Sequence, residues 1–380
     1  MNSWILERAE FEETDWEKTY GGPEREIGWS VQVTGDGGYI ICGLTQSFGA
    51  GETDAYLVKT DPEGNMEWQR TFGSERRDMS INVQLTSDEG YILCGTTGYG
   101  SDDSDIYIVK TDSNGLLEWE QMYGGRETER GGCIKETGDR GYIICGETSS
   151  FGAGESDIYL IKINSTGEKE WEKTYGGSGR DWCHNVQITS DGGFILGGNT
   201  ASYGKGKLDV YLIKTDINGN KEWEQTYGGP EDEFIFGSEG LIQTKDEGFI
   251  FCTYGESYGE GMTDFYIVKT DSSGDTEWEK TFGGSQEDGA LSIVQTKDRG
   301  YIICGYTKSI GAGDRDVYLV KIDKNGIKEW EKTYGGPDFD CGIALQQTAD
   351  GGLIICGETE SYGAGERDIY LIKTIPVENN

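Results

Sequence analysis

Apolar residues along this chain come in short β-branched or aromatic runs, separated by glycine, aspartate, asparagine and serine, and helical periodicity is nowhere sustained. One set of runs comprises Glu67 to Phe72, Ile81 to Thr86, Tyr91 to Gly95 and Ile106 to Lys110. Each reads as a strand. The set recurs around one tryptophan: Trp16, Trp68, Trp119, Trp171, Trp223, Trp278 and Trp330 each precede a Tyr-Gly-Gly or Phe-Gly motif, at intervals of 52, 51, 52, 52, 55 and 52 residues. Self-similarity of this length marks propellers and arrays. The expectation is therefore an all-β, seven-bladed β-propeller of four-stranded antiparallel blades.

Turn residues support the pairing. Asp-Gly-Gly (Asp36 to Gly38, Asp191 to Gly193, Asp350 to Gly352) or Asp-Glu-Gly separates the second and third signals, and Asp-x-x-Gly (Asp61 to Gly64, Asp216 to Gly219) precedes the tryptophan segment. These residues tolerate the positive φ of tight hairpins. With the strands of a blade lettered A to D, the tryptophan segment is the outer strand D. The chain starts on a D strand and ends on a C strand, so the first strand should complete the last blade and close the ring without an open edge. The division expected is an extension over 1–14, one propeller over 15–375 and a tail over 376–380, with no linker and a monomeric state.

Composition narrows the function. Gly is 61 of 380 residues, as some thirty tight connections require, and the formal net charge is −36. So acidic a chain lacks the basic track that a nucleic acid backbone needs. No apolar run reaches the roughly 18–20 residues of a membrane span. The charged N-terminal segment does not read as a secretion signal. The expectation is a cytoplasmic protein, or a cell-surface one if a leader has been removed.

Nine cysteines sort by alignment. Cys42, Cys94, Cys145, Cys252, Cys304 and Cys356 occupy one position of strand B, where one blade has Gly197 instead, and Cys133, Cys183 and Cys341 lie near the start of strand A. Equivalent positions in separate blades are too far apart to bridge, so buried free thiols are expected.

The Asp-x-x-Gly turn followed by tryptophan (Lys214 to Trp223) resembles the tryptophan-docking repeat of pyrroloquinoline-quinone-type propellers. The full unit, from the Asp-Gly-Gly turn through Tyr-Leu-Ile-Lys to the Trp and Tyr-Gly-Gly, is similar to a repeat of archaeal and bacterial surface proteins. That resemblance covers about residues 15 to 375 and implies a recognition or display module with no activity attached. Quinone enzymes of the first family have eight blades and an adjacent cysteine pair. This chain has seven units and no Cys-Cys, so that cofactor is not carried over.

Three recurring residue sets invite structural roles. An Asp before strand C (Asp54 and its equivalents) should accept loop amides. A Tyr two residues on (Tyr56) should pack between blades, and the Lys ending the strand (Lys59) should cover the Trp ring.

Function is sought where the repeat departs from itself, on the face carrying the long D–A and B–C loops. The 55-residue interval puts three extra residues in Gly229 to Gly237, expected in the D–A loop, and Phe234 and Phe236 there suit contact with a partner. Blade 2 shortens its B–C loop and brings together Asp102, Asp103 and Asp105, hard oxygen donors of the kind Ca²⁺ takes. Ca²⁺ is the only cofactor the sequence suggests.

Acidic residues Glu26, Asp78, Glu129, Asp181, Asp288 and Asp340 recur eight positions before a threonine, with Phe236 breaking the set. They either cap the Gly-Gly loops or ring the channel mouth, where they would receive cations or a basic peptide. Trp29 and Trp182, with His184 beside the second, lie off the docking position on strand A. They either stack on a ligand or fill the space between blades.

His184 is the only histidine, and neither a nucleophile elbow nor a P-loop appears. The leading expectation is a non-catalytic module binding a protein or peptide through its loop-rich face. The alternative is Ca²⁺-assisted glycan binding, or glycoside cleavage by a carboxylate pair from the acidic ring.

Overall fold

The computed structural model describes residues 14–376. Among these, twenty-nine strands, β1 to β29 in chain order, form seven antiparallel sheets and there is no helix. Blade 1 is β2 (Glu26–Val33), β3 (Tyr39–Thr45), β4 (Asp54–Thr60) and β5 (Met66–Phe72), which are its strands A to D. Five more blades follow the same order. The seventh joins β27 (Asp340–Gln347), β28 (Leu353–Thr359) and β29 (Asp368–Thr374) to β1 (Thr14–Tyr20), with Glu17 opposite Ile372. The first strand thus closes the ring. The expected extension and tail lie almost wholly outside the described residues.

Burial follows position in the blade. Strands B and C are covered on both faces by the adjoining blades, so β3 and β4 are buried at every residue, whereas the outer β5 is mostly half-buried. The core is accordingly divided into clusters shared by adjacent blades. One joins Val31, Ile41 and Tyr56 of blade 1 to Ile354, Cys356 and Leu371 of blade 7. All nine cysteines are buried and free.

Tryptophan docking also runs between blades. The Trp171 ring of blade 3 lies against Gly219 in the C–D turn of blade 4, where φ is +72° and a Cβ would come within 2.9 Å of the ring. Tyr175 donates to the Gly219 carbonyl at 2.5 Å, and Tyr20, Tyr123 and Tyr227 repeat this bond at Gly64, Gly167 and Gly274.

The recurring Asp, Tyr and Lys are structural. Asp157 accepts from the amides of Ala153 and Gly154 at 2.7 and 3.1 Å, and five other blades share the arrangement. In all seven blades the Tyr hydroxyl donates to a Glu or Gln of strand D, as Tyr370 does to Glu17 at 2.6 Å. The Lys is held by its ammonium. The Lys59 ammonium turns to Asp36 of the A–B hairpin at 2.9 Å, to Glu67 at 3.1 Å and to its neighbour's carbonyl, Thr60 O. A buried ammonium needs several acceptors, and the hairpins on this face supply them.

Candidate functional site at the channel mouth

Strand A lines the central channel, with its first residue at the face carrying the D–A and B–C loops. In six blades strand A carries a β-bulge at its fourth residue, which in blades 1 and 4 is Trp29 and His184. A bulge leaves that residue unpaired and re-aims its side chain.

Blade 5 departs further. Its strand A is broken into β18 (Glu233–Phe234) and β19 (Leu241–Gln243), and both halves pair with the same β20 (Phe249–Gly255). The three extra residues therefore interrupt the inner strand, not the D–A loop. The intervening segment, 235–240, crosses the channel. Gly237 O accepts from Asn185 of blade 4 at 2.6 Å, and the Ser238 hydroxyl accepts from Asn82 of blade 2 at 3.0 Å. Glu239 accepts from Ser30 and Gln32 of blade 1 at 3.3 and 3.1 Å, and its carbonyl accepts from the Ile293 amide of blade 6. The segment is held across the channel because strand A residues of the opposing blades bond both its carbonyls, at Gly237 and Glu239, and its polar side chains, Ser238 and Glu239.

Above the plug lies a cavity of about 340 Å³, and Trp29, Trp182, His184, Phe234 and Phe236 all line it. Phe236 spans the mouth, with its ring 5.9 Å from Trp29 and 5.1 Å from His184, both edge-on. Phe234 stacks on Tyr254 at 5.3 Å. Burial pushes the His184 imidazole down to about 4, so it is neutral at pH 7.

Residues that the sequence reading missed complete the wall. Glu147 of blade 3 is gripped by Arg180 of blade 4 at 2.8 and 3.1 Å and by Arg130 at 3.3 Å. Arg180 lies 4.6 Å over Trp182, and Arg130 lies 5.8 Å over Tyr99. Burial alone would raise the Glu147 pKa, but the hydrogen bond from Arg180 and the two guanidinium charges hold it below its usual range. The signal available in the sequence was arginine itself. In so acidic a chain, Arg25, Arg77, Arg130, Arg180, Arg315 and Arg367 all stand near the start of strand A or strand C, at the loop-rich face.

The acidic set is placed elsewhere. Glu26, Asp78, Glu129, Asp181, Asp288 and Asp340 are the first residues of their A strands and are at most 1% exposed. They hold the Tyr-Gly-Gly loops: the amides of Gly22, Gly125 and Gly177 donate to Glu26, Glu129 and Asp181 at 2.7, 2.7 and 2.8 Å. Glu233, not Phe236, fills the seventh place, with the Gly229 amide at 2.7 Å. Their carboxylates are buried against these loop amides and against hydroxyls such as those of Thr45, Thr148 and Ser202, which is the capping arrangement and not an exposed ring. Such bonds offset the cost of burying a carboxylate.

Asp102, Asp103 and Asp105 are not brought together. Asp102 is exposed, the Asp103 carboxylate pairs with Arg76 at 2.6 Å, and Asp105 lies against Gly124. Among the described residues no group of three such side chains is arranged to hold a metal ion.

No protein-family model matches the chain, and neither does any curated protein sequence. Solved structures do match in fold. The WD40 domain of Neurospora crassa Pan2 is 12% identical with a TM-score of 0.55, covering 93% of this chain and 89% of that one. YCF48 bound to D1 peptide is 10% identical with a TM-score of 0.52, covering 95% and 96%. The polysaccharide lyase Uly1 is 11% identical with a TM-score of 0.53, covering 97% and 94%. At these identities the likeness is one of fold alone: the chain is a seven-bladed β-propeller, and its neighbours in fold include a WD40 domain, a peptide-bound protein and a polysaccharide lyase.

Proposed function

We propose that this protein is a non-catalytic recognition module that receives a segment of a protein partner in the cavity above the plug. The observation carrying this reading is the convergence of partly exposed aromatic side chains from blades 1, 4 and 5 on one cavity with a floor. Rigid aromatic side chains with a polar rim are what peptide-binding hot spots are made of. One propeller of similar fold is bound to a peptide, which agrees with this use of the architecture.

Glycoside cleavage has less behind it. Glu147 is the one carboxylate lining the cavity, and two guanidiniums keep it ionised, the wrong state for a general acid. Calcium-assisted glycan binding lacks a convergent ligand set among the described residues.

The test is selection of a random peptide library on the immobilised protein, beside Trp182→Ala and Phe236→Ala. Peptides retained by the native protein and at least tenfold less by both variants support the reading. Equal retention by all three, or none, would overturn it.

A further inference from the structure

Resting on that reading, we propose that the segment received is the C-terminus of a polypeptide. Its last, apolar side chain enters the aromatic cavity and its α-carboxylate meets Arg130 and Arg180. Three independent observations lead there.

The first is shape. The cavity is blind, because segment 235–240 is hydrogen-bonded to strand A of blades 1, 2, 4 and 6 beneath it. At about 340 Å³ it stands at the small end of the roughly 300–1,000 Å³ range of ligand pockets. An internal segment would have to enter and leave by the same mouth. A chain end enters once.

The second is charge. The protein carries −36 overall, yet the charged side chains lining the cavity are two guanidiniums and one carboxylate. Glu147 neutralises one guanidinium charge and leaves the other in a partly desolvated, aromatic setting. An N-terminal ammonium would be repelled there, and a carboxylate is attracted.

The third is unmet hydrogen bonding. Arg130 Nε and Trp29 Nε1, both on residues lining the cavity, are buried and without a partner among the described residues. Both are donors only. Buried donors call for acceptors, and a carboxylate has two acceptor oxygens and no donor. Capture of a terminal carboxylate beside a pocket for the last side chain is an established recognition mode.

The experiment uses one random octapeptide library made twice on beads, once with a free α-carboxylate and once amidated, probed with the labelled native protein. Enrichment in the acid arm, with an aromatic or large aliphatic last residue and at least a tenfold affinity loss on amidation of the selected peptides, is expected. Arg130→Met should narrow that acid–amide gap to threefold or less. Peptides that bind equally well as amides, in a Trp182-dependent way, would overturn the C-terminal inference and leave peptide recognition standing. No retention on either arm would overturn both. The acid–amide comparison needs no mutant, so a poorly folded variant does not blunt it.

Discussion

Arg180, one residue before the inner strand of blade 4, forks onto Glu147 of blade 3 with Nε 2.8 Å from Oε1 and Nη2 3.1 Å from Oε2. The pair ties two blades together at the mouth and orients the guanidinium over Trp182. The same guanidinium is thus both a tie between blades and part of the cavity wall.

Glu147→Gln keeps the shape of this contact and removes its charge. Glu147 is 8% exposed, but Arg130 and Arg180 are 38% and 45% exposed, so solvent screens the pair. A loss of about 1–2 kcal/mol at pH 7 is expected, below the roughly 3–5 kcal/mol of a fully buried pair. The folded pKa lies below the ordinary 4.5, so this stabilisation is complete above that value and fades as pH falls through the folded one. Urea melts at pH 7 and at pH 3 should show the native–variant difference shrinking. A difference independent of pH would refute the assignment.

Glu239 predicts the opposite trend. Burial in the plug raises its pKa to about 7, a shift that Lys135 and the bonds from Ser30 and Gln32 only partly offset. The folded state then holds a proton that the unfolded chain has released, so stability declines as pH rises from about 4.5 to 7. Glu239→Gln should remove that slope. At pH 8 it should stabilise the fold by about 1–2 kcal/mol, because Glu239 is only partly buried and the cost of its charge is moderated accordingly. Thermal melts across pH 5 to 8 decide this, and a variant with an unchanged slope would refute it.

Tyr227→Phe tests blade docking. It removes a buried hydrogen bond of 2.6 Å to Gly274 O and leaves the ring in place. The expected cost is about 1 kcal/mol. The chain itself uses Phe at the equivalent Phe72 and Phe282, so the variant should fold. Chemical denaturation reads the change, and a loss above about 3 kcal/mol would mean that the hydroxyl does more than dock.

Gly219→Ala tests the tryptophan seat. A residue with φ of +72° and a Cβ within 2.9 Å of Trp171 must adopt a strained backbone and push the ring aside. The cost should exceed about 1 kcal/mol, with a change in tryptophan fluorescence. A neutral substitution would show that the ring is not packed on this turn.

Much of the molecule was legible from spacing. A tryptophan recurring at near-constant intervals, Asp-Gly-Gly hairpins and a D strand at the start lead to seven blades and a closed ring, because each copy makes the same local bonds. The site was half legible. Trp29, Trp182, His184, Phe234 and Phe236 stood out as departures from the repeat, and the fold assembles them. The acidic set was misplaced by counting back from a threonine across a segment that gains three residues in blade 5. Glu233 was therefore overlooked and Phe236 set in its place. Arg130, Arg180 and Glu147 were missed because each is unremarkable within its own unit.

Repetition in the sequence alone determined the number of blades, the strand order and the seam, since these follow from local hydrophobic pattern and turn chemistry. Only the tertiary structure decided where segment 235–240 goes and what it encloses. Its side chains are held by Gln32 and Asn82, and its backbone by Asn185 and the inner strand of blade 6, residues up to about 200 positions away that only ring closure brings together. Contacts across a channel have no signature in the spacing of the residues that make them.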